Sequence, residues 1–259
     1  MALTKVDWFG FRTKANVMPA FEALKGVFGP LGSSLTIQPR EHGGLGFDRL
    51  ADVSLADMRV GLMGYGGESQ RGWVMASVTG AGCGWVSDWQ EAQEAVAGLP
   101  GYELRRVDLA LDTVGRSVCH DAVVSAYRAG QFTTRGRPPN MERIEPEDPC
   151  AGRTIYVGSR QQGKFFRGYE KGYQLVKGFP KHVIPTHIDG VPIGDMYRCE
   201  VELKAKVSDL PVDLIDRRDQ YFAGSYPYLE HLLKVEPEIF VQRREQGPQI
   251  ELQKVLANI

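Results

Sequence analysis

Little net charge, few cysteines and no long apolar run characterise this sequence. Lys plus Arg number 31 against 32 Asp plus Glu, a formal charge of −1 over 259 residues. Bulk positive charge as a means of holding nucleic acid or membrane is thereby excluded, although a local basic site is not. The four cysteines (Cys83, Cys119, Cys150 and Cys199) are scattered and form no C-x-x-C pair. Free thiols in a reducing cytoplasm are expected, rather than disulfides or a zinc site. No stretch approaches the ~18 apolar residues of a membrane span. Lys5 and Asp7 stand where a signal peptide needs an apolar core. The five histidines show neither H-x-H nor H-E-x-x-H spacing, which removes the usual imidazole metal motifs.

What is abundant is glycine, 30 residues, above the usual ~7% and suited to tight turns between short strands. Alternation and turn signals predict strands over 6–13, 34–38, 59–65, 72–79 and 104–112. A helix is predicted over 87–99, with Ser87 as N-cap and Gln90 at the capping-box spacing, and another over 118–128. Residues 135–150, with their prolines and acids, read as an exposed connector. Beyond it come a hairpin over 153–159 and 164–171, a strand over 196–206, and a helix over 218–234 interrupted near Pro227. Trp8, Trp73, Trp85 and Trp89 are expected in the core. Gly80-Ala81-Gly82-Cys83-Gly84 has its third glycine one position early for a dinucleotide-binding fingerprint and is read as a strand-to-helix turn.

Two strands resemble one another. Arg106-Val107-Asp108-Leu109-Ala110-Leu111 and Arg198-Cys199-Glu200-Val201-Glu202-Leu203 both read Arg, any, acid, aliphatic, any, Leu. This suggests one domain over 1–259 built from two pseudo-repeated halves, 1–140 and 151–259. The fold class expected is α+β: two similar antiparallel halves forming a curved central sheet with helices on one face. Alternate residues of a strand share a face, so Asp108 and Asp112 point one way, as do Glu200 and Glu202. Acids are depleted in strands. Either they line a solvated face, or the two strands converge their carboxylates on Mg²⁺ or Mn²⁺, which favour oxygen ligands.

The hairpin supplies the opposite charge. Between Arg153 and Lys181 seven basic residues stand against one acid, Glu170, a local +6. Aromatics are interleaved, as phosphate contact and base stacking require. Arg153, Arg160 and Lys164 are the expected DNA contacts. Arg167, Tyr169 and Lys171 alternate, and a tyrosine between two cations is expected to have its phenol pKa pulled down from ~10. That would prepare Tyr169 as a nucleophile, with Tyr156 on the paired strand as its rival. Tyr221, Tyr226 and Tyr228 fall at helical spacing and are expected to pack.

At these residues the chain resembles the replication initiation factor family, rolling-circle initiators of filamentous phages and small plasmids, with related relaxases. The resemblance is carried by V-D-W-F-G-F at 6–11, S-V-T-G-A-G-C at 77–83 and R-V-D-L-A-L-D at 106–112. It continues through T-I-Y-V-G-S-R at 154–160, R-G-Y-E-K at 167–171, R-C-E-V-E-L-K at 198–204 and Y-F-A-G-S-Y-P at 221–227. It implies an enzyme that nicks one strand of a duplex origin and keeps a tyrosine, here Tyr169, linked to the 5′ phosphate. The metal acids implied fall on the strands of Asp108 and Glu200, with Asp112 and Glu202 further along. The partners implied are double-stranded origin DNA, the nicked single strand, a host helicase and polymerase, and a second copy in a homodimer. Gly168 stands where a bulkier residue is expected. The rival functions are a non-catalytic DNA-binding regulator and a metal-dependent nuclease using water.

Overall fold

The computed structural model describes residues 3–177, 179–180, 183–206 and 209–237. The first half runs β1 (Lys5–Thr13), α1 (Val17–Val27), β2 (Leu35–Pro39), β3 (Arg49–Leu55), β4 (Met58–Tyr65), β5 (Val74–Val78), α2 (Gly80–Cys83), α3 (Trp89–Ala97), β6 (Glu103–Val114) and α4 (His120–Arg128). The second runs β7 (Met141–Ile144), β8 (Thr154–Gly158), β9 (Lys164–Glu170), α5 (Lys171–Leu175), a small hairpin of β10 (His187–Ile188) and β11 (Val191–Pro192), β12 (Met196–Lys204), α6 (Arg218–Ala223) and α7 (Pro227–Leu233). Ten strands form one antiparallel sheet in the order β2-β3-β4-β5-β1-β6-β12-β9-β8-β7. The two like strands, β6 and β12, lie side by side at its middle, with Leu109 opposite Val201 and Asp108 opposite Glu202.

Strand alternation divides the sheet into two unlike faces. Phe9, Phe11, Val107, Leu109, Phe166, Val201 and Leu203 point to one side and share a single core with the apolar faces of α1, α3, α4, α6 and α7. In α1 the buried residues Ala20, Phe21, Leu24 and Val27 follow the helical period. The opposite face carries the charged partners of those strands. The helices thus cover one face, as expected. Among the described residues no helix is long and apolar enough to cross a membrane.

Several local expectations are corrected. Helix α1 was hidden by Pro19 in its first turn and by an Asn16 cap that makes no side-chain bond. The cap of α3 is Asp88, whose carboxylate accepts from the backbone N–H groups of Gln90 and Glu91, and not Ser87. The connector over 135–150 contains the edge strand β7, paired with β8. Of the four tryptophans, Trp89 packs on Phe9, whereas Trp85 is exposed and Trp8 and Trp73 are half-buried. Trp8 and Trp73 lie beneath cations, Arg106 over Trp8 and both Arg12 and Lys14 over Trp73. The glycine-rich segment at 80–84 forms the single turn of α2, capped by the Thr79 hydroxyl. The sheet beside it is antiparallel, which is not the βαβ context a dinucleotide site needs. All four cysteines are free thiols.

Two glycines near the site are required by close approach. A Cβ at Gly168 would lie 2.7 Å from the Tyr197 hydroxyl and 3.2 Å from the Phe166 ring, which explains its place in the motif. A Cβ at Gly172, in α5, would stand 2.1 Å from the backbone oxygen of Ile193. Gly172→Ala is therefore expected to destabilise by about 1–3 kcal/mol, the usual cost of overpacking. Thermal unfolding should move down by about 3–10 °C; an unchanged midpoint would show that α5 can shift freely from the 193 turn.

Candidate active site

The open face of the sheet is built from three adjacent strands, β6, β12 and β9, with β1 alongside. Register places Arg167 beside Glu200, Tyr169 beside Arg198, Arg198 beside Asp112, and Glu202 beside Asp108. Within β1 the pairing with β6 slips between Val6 and Trp8, leaving Asp7 as an extra residue. Such a bulge re-aims a side chain, and Asp7 reaches across β6 to Arg198 on β12.

The groups at the centre of this face are buried, three carboxyl side chains among them. Asp108 and Glu202 are 3% exposed, Glu200 5% and Tyr169 6%. Buried charges persist only when paired, and each of these carboxylates has a cation. Arg106 donates to both oxygens of Asp108, at 2.8 and 2.6 Å, and also reaches Glu202 at 2.8 Å. Lys204 and Arg160 hold Glu202 as well. Nη2 of Arg167 donates to both Glu200 oxygens, at 2.9 and 2.6 Å. Arg198 grips Asp112 through Nε and Nη2, at 2.5 and 2.7 Å, and Asp7 through Nη1 at 2.7 Å.

Tyr169 stands at the end of this network. The Arg167 guanidinium lies 4.8 Å and the Lys171 ammonium 5.8 Å from its ring centroid. The expectation that these cations lower its pKa is overturned: the phenol is pushed up to about 12. Burial is the main cause; Glu200 and Asp7 add to it, and Arg198 and Arg167 oppose it without cancelling it. The phenol is therefore protonated at neutral pH. Burial likewise raises the carboxyls of Glu200 and Asp108. Asp7 and Asp108 push Glu200 further up and Glu202 and Asp7 do so to Asp108, while Arg167 and Arg106 pull the other way. Lys171 is lowered, by burial first and then by the charge of Arg198.

The structure thus gathers Tyr169, Arg167, Lys171, Asp108, Glu200, Asp112 and Glu202 on one face. The three cations predicted to contact DNA separate. Arg160 joins this face, over the rings of Tyr156 and Phe165. Arg153 turns to the helical side, bound to Glu170 and Asp121. Lys164 alternates away from Tyr169 and lies over the Tyr226 ring among the helices. Tyr156 sits opposite Arg167 on β8, stacked on Phe165. Tyr221, Tyr226 and Tyr228 are core residues, as expected. Missed by the sequence reasoning were Asp7, Arg106 and Arg198. The shared Arg-any-acid spacing was a signal for the two arginines, since residues i and i+2 share a face.

Oxygen donors of this type suit a hard divalent ion. The arrangement does not: among the described residues no three Asp, Glu, His or Cys side chains stand so as to hold one. Each carboxylate is instead closed by a guanidinium, which balances its charge from within the chain.

Comparison with known proteins gives the same fold. A solved rolling circle replication initiator protein from Geobacillus stearothermophilus superposes with a TM-score of 0.61 at 18% identity, covering 98% of this chain and 95% of that one. No curated protein matches the chain. The family model of the replication initiation factor matches residues 102–251, the part that holds β6, β9 and β12, and the chain belongs to the replication initiation factor family.

Proposed function

We propose that the protein starts rolling-circle replication by nicking one strand of origin DNA with Tyr169 as the nucleophile. The observation that carries this is a tyrosine bracketed by Arg167 and Lys171, opposite Arg198 and one strand from Glu200. The phenol oxygen attacks the phosphorus of a phosphodiester. Its proton passes to Glu200, whose raised proton affinity suits a general base. The bond from phosphorus to the 3′ oxygen breaks, and that oxygen takes the proton from Glu200. The products are a 5′-phosphotyrosine and a free 3′ hydroxyl. Reversal, with the 3′ hydroxyl attacking the phosphotyrosine, rejoins the strand. Arg167 and Lys171, beside the ring, are placed to offset charge on the non-bridging oxygens. Arg160 is the cation of this face best placed to contact the flanking strand.

The paired arrangement of β6 and β12 is what two related halves, 1–140 and 151–259, would produce, and we read the site as lying on the seam between them. Duplex origin DNA and the nicked strand are the substrates of this reading; helicase, polymerase and a second copy are its further partners. The test is incubation with supercoiled DNA carrying the origin of the protein's own replicon, scored for nicked circles and a covalent adduct. Nicking without an adduct would point to water as the nucleophile.

The resemblance implies Mg²⁺ or Mn²⁺, and the acids named for it are Asp108, Glu200, Asp112 and Glu202. Asp108→Asn and Glu200→Gln test this assignment. If either acid serves an ion, its neutral variant should need about tenfold more Mg²⁺ or Mn²⁺ for half-maximal nicking, the scale of a lost ligand or its support. An unaltered metal response, with nicking reduced, would leave the two acids as partners of Arg106 and Arg167.

A further inference from the structure

The arginines of the Tyr169 face are closed by carboxylates, as Arg106, Arg160, Arg167 and Arg198 each bind at least one. A group of cations without such partners lies on the other side of the sheet. There a cavity of about 680 Å³ opens between the segment after α4, the β8–β9 turn and the corner joining α6 to α7. It is lined by Arg135, Arg137, Asn140, Gln162, Lys164 and Tyr226 among others. Among the described residues none of its three cations has a carboxylate within ion-pair distance. Lys164 donates instead to the backbone oxygen of Ser225 and lies 4.2 Å from the Tyr226 ring centroid. Burial with no opposing carboxylate pulls its ammonium down to about 8. A half-buried cation lacking an anion, facing an open cavity, is a place for an anion from outside.

The remaining lining says what kind. Pro138, Pro139 and Pro227 form flat apolar walls, more than a bare phosphate could use. The amides of Asn140 and Gln162 each offer a donor and an acceptor, the complement of a base edge. Glu230, the one acid among the described residues of the lining, repels phosphate but accepts from an amino or hydroxyl group. The volume lies within the range of small-ligand sites, ~300–1,000 Å³. We propose that this cavity binds a nucleoside phosphate, with the phosphate on Lys164, Arg135 and Arg137 and the base between the proline walls and the Asn140 amide. The site lies across the sheet from Tyr169 and does not depend on how Tyr169 reacts.

Such a ligand is either a free nucleotide or one unpaired unit of a DNA strand, and two probes distinguish them. Fluorescently labelled ADP and a labelled twelve-nucleotide single strand are titrated by polarisation into the wild type, Lys164→Met and Arg135→Gln/Arg137→Gln. Both variants are expected to bind at least one probe about tenfold more weakly, the worth of one charge-assisted bond. Loss with ADP assigns a free nucleotide; loss confined to the strand assigns a nucleotide within DNA. The double variant alters exposed positions, so it serves if Lys164→Met fails to fold. Arg49→Gln/Arg71→Gln, exposed at the far end of the sheet, is the charge-matched control and should stay within twofold. Unchanged binding of both probes in the cavity variants, or an equal loss in the control, would overturn the proposal.

Discussion

Tyr169→Phe should abolish the covalent protein–DNA adduct while leaving DNA binding within a fewfold of wild type. The phenylalanine ring retains the surface on which Arg167 and Lys171 rest, so packing and local charge persist, and only the oxygen that would bond to phosphorus is lost. Removal of a nucleophile costs about three orders of magnitude or more in rate, which in an adduct assay reads as absence. The pH profile separates nucleophile from bystander. With Tyr169 protonated at neutral pH and its phenol at about 12, attack needs a base. If that base is Glu200, activity is lost in acid as its carboxylate protonates, and the loss begins above the ordinary value of 4.5 because burial has raised it. Glu200→Gln should remove this acid limb along with most of the rate. An adduct that survives in Tyr169→Phe would move the nucleophile to Tyr156, which flanks Arg167 from the other side; the Tyr156→Phe variant would then lose it.

How far the sequence led depends on which interactions stay within one strand. The acid alternation of β6 and β12 and the R-G-Y-E-K segment could be read directly, because residues i and i+2 share a face whatever lies next to them. The sheet order could not, and with it went the partners of the acids. Arg198 looks in sequence like the companion of Glu200, two residues on, yet it binds Asp112 and Asp7 from two other strands. The local +6 of the hairpin misled in a related way. A sum along the chain ignores alternation, which sends Lys164 to the helices and leaves Arg160 and Arg167 facing the site. The phenol of Tyr169 was misjudged because two neighbouring cations are visible in a sequence and desolvation is not. Burial outweighs them here. Asp7 escaped notice for another reason: its aim depends on a bulge, and nothing in V-D-W-F-G-F marks where the register slips.

Arg198→Met should produce the largest loss of stability of any single substitution in the site. The side chain is 8% exposed and bridges two carboxylates, Asp7 at 23% and Asp112 at 30%. Removing one member of a buried ion cluster costs about 3–5 kcal/mol, because the partners are left charged and unpaired. Discounting for the water that reaches both acids gives about 2–4 kcal/mol, or some 5–15 °C in the thermal midpoint. The pH dependence fixes the cause. Burial alone would push the Asp112 carboxyl up, but the hydrogen bonds and charge of Arg198, helped by Lys5, carry it below 3.8. A carboxylate depressed in the folded state stabilises above its unfolded value, and that contribution is lost as pH falls through the folded one. The gap between wild type and Arg198→Met should therefore be full at pH 6 and narrow below pH 3.8, as Asp112 takes up its proton. Arg198→Lys should recover only part of the gap, since an ammonium lacks the planar fork that spans Asp112 and Asp7 together. Adduct formation should fall further than stability explains at a temperature where both variants are folded. Arg198 is the first among the cations that oppose the upward shift of the Tyr169 phenol, and without it the ionised nucleophile is harder to reach. A midpoint within 2 °C of wild type in Arg198→Met would mean that Asp7 and Asp112 are solvated well enough to do without it, and the buried network would then be held by Arg106, Arg160, Arg167 and Lys204.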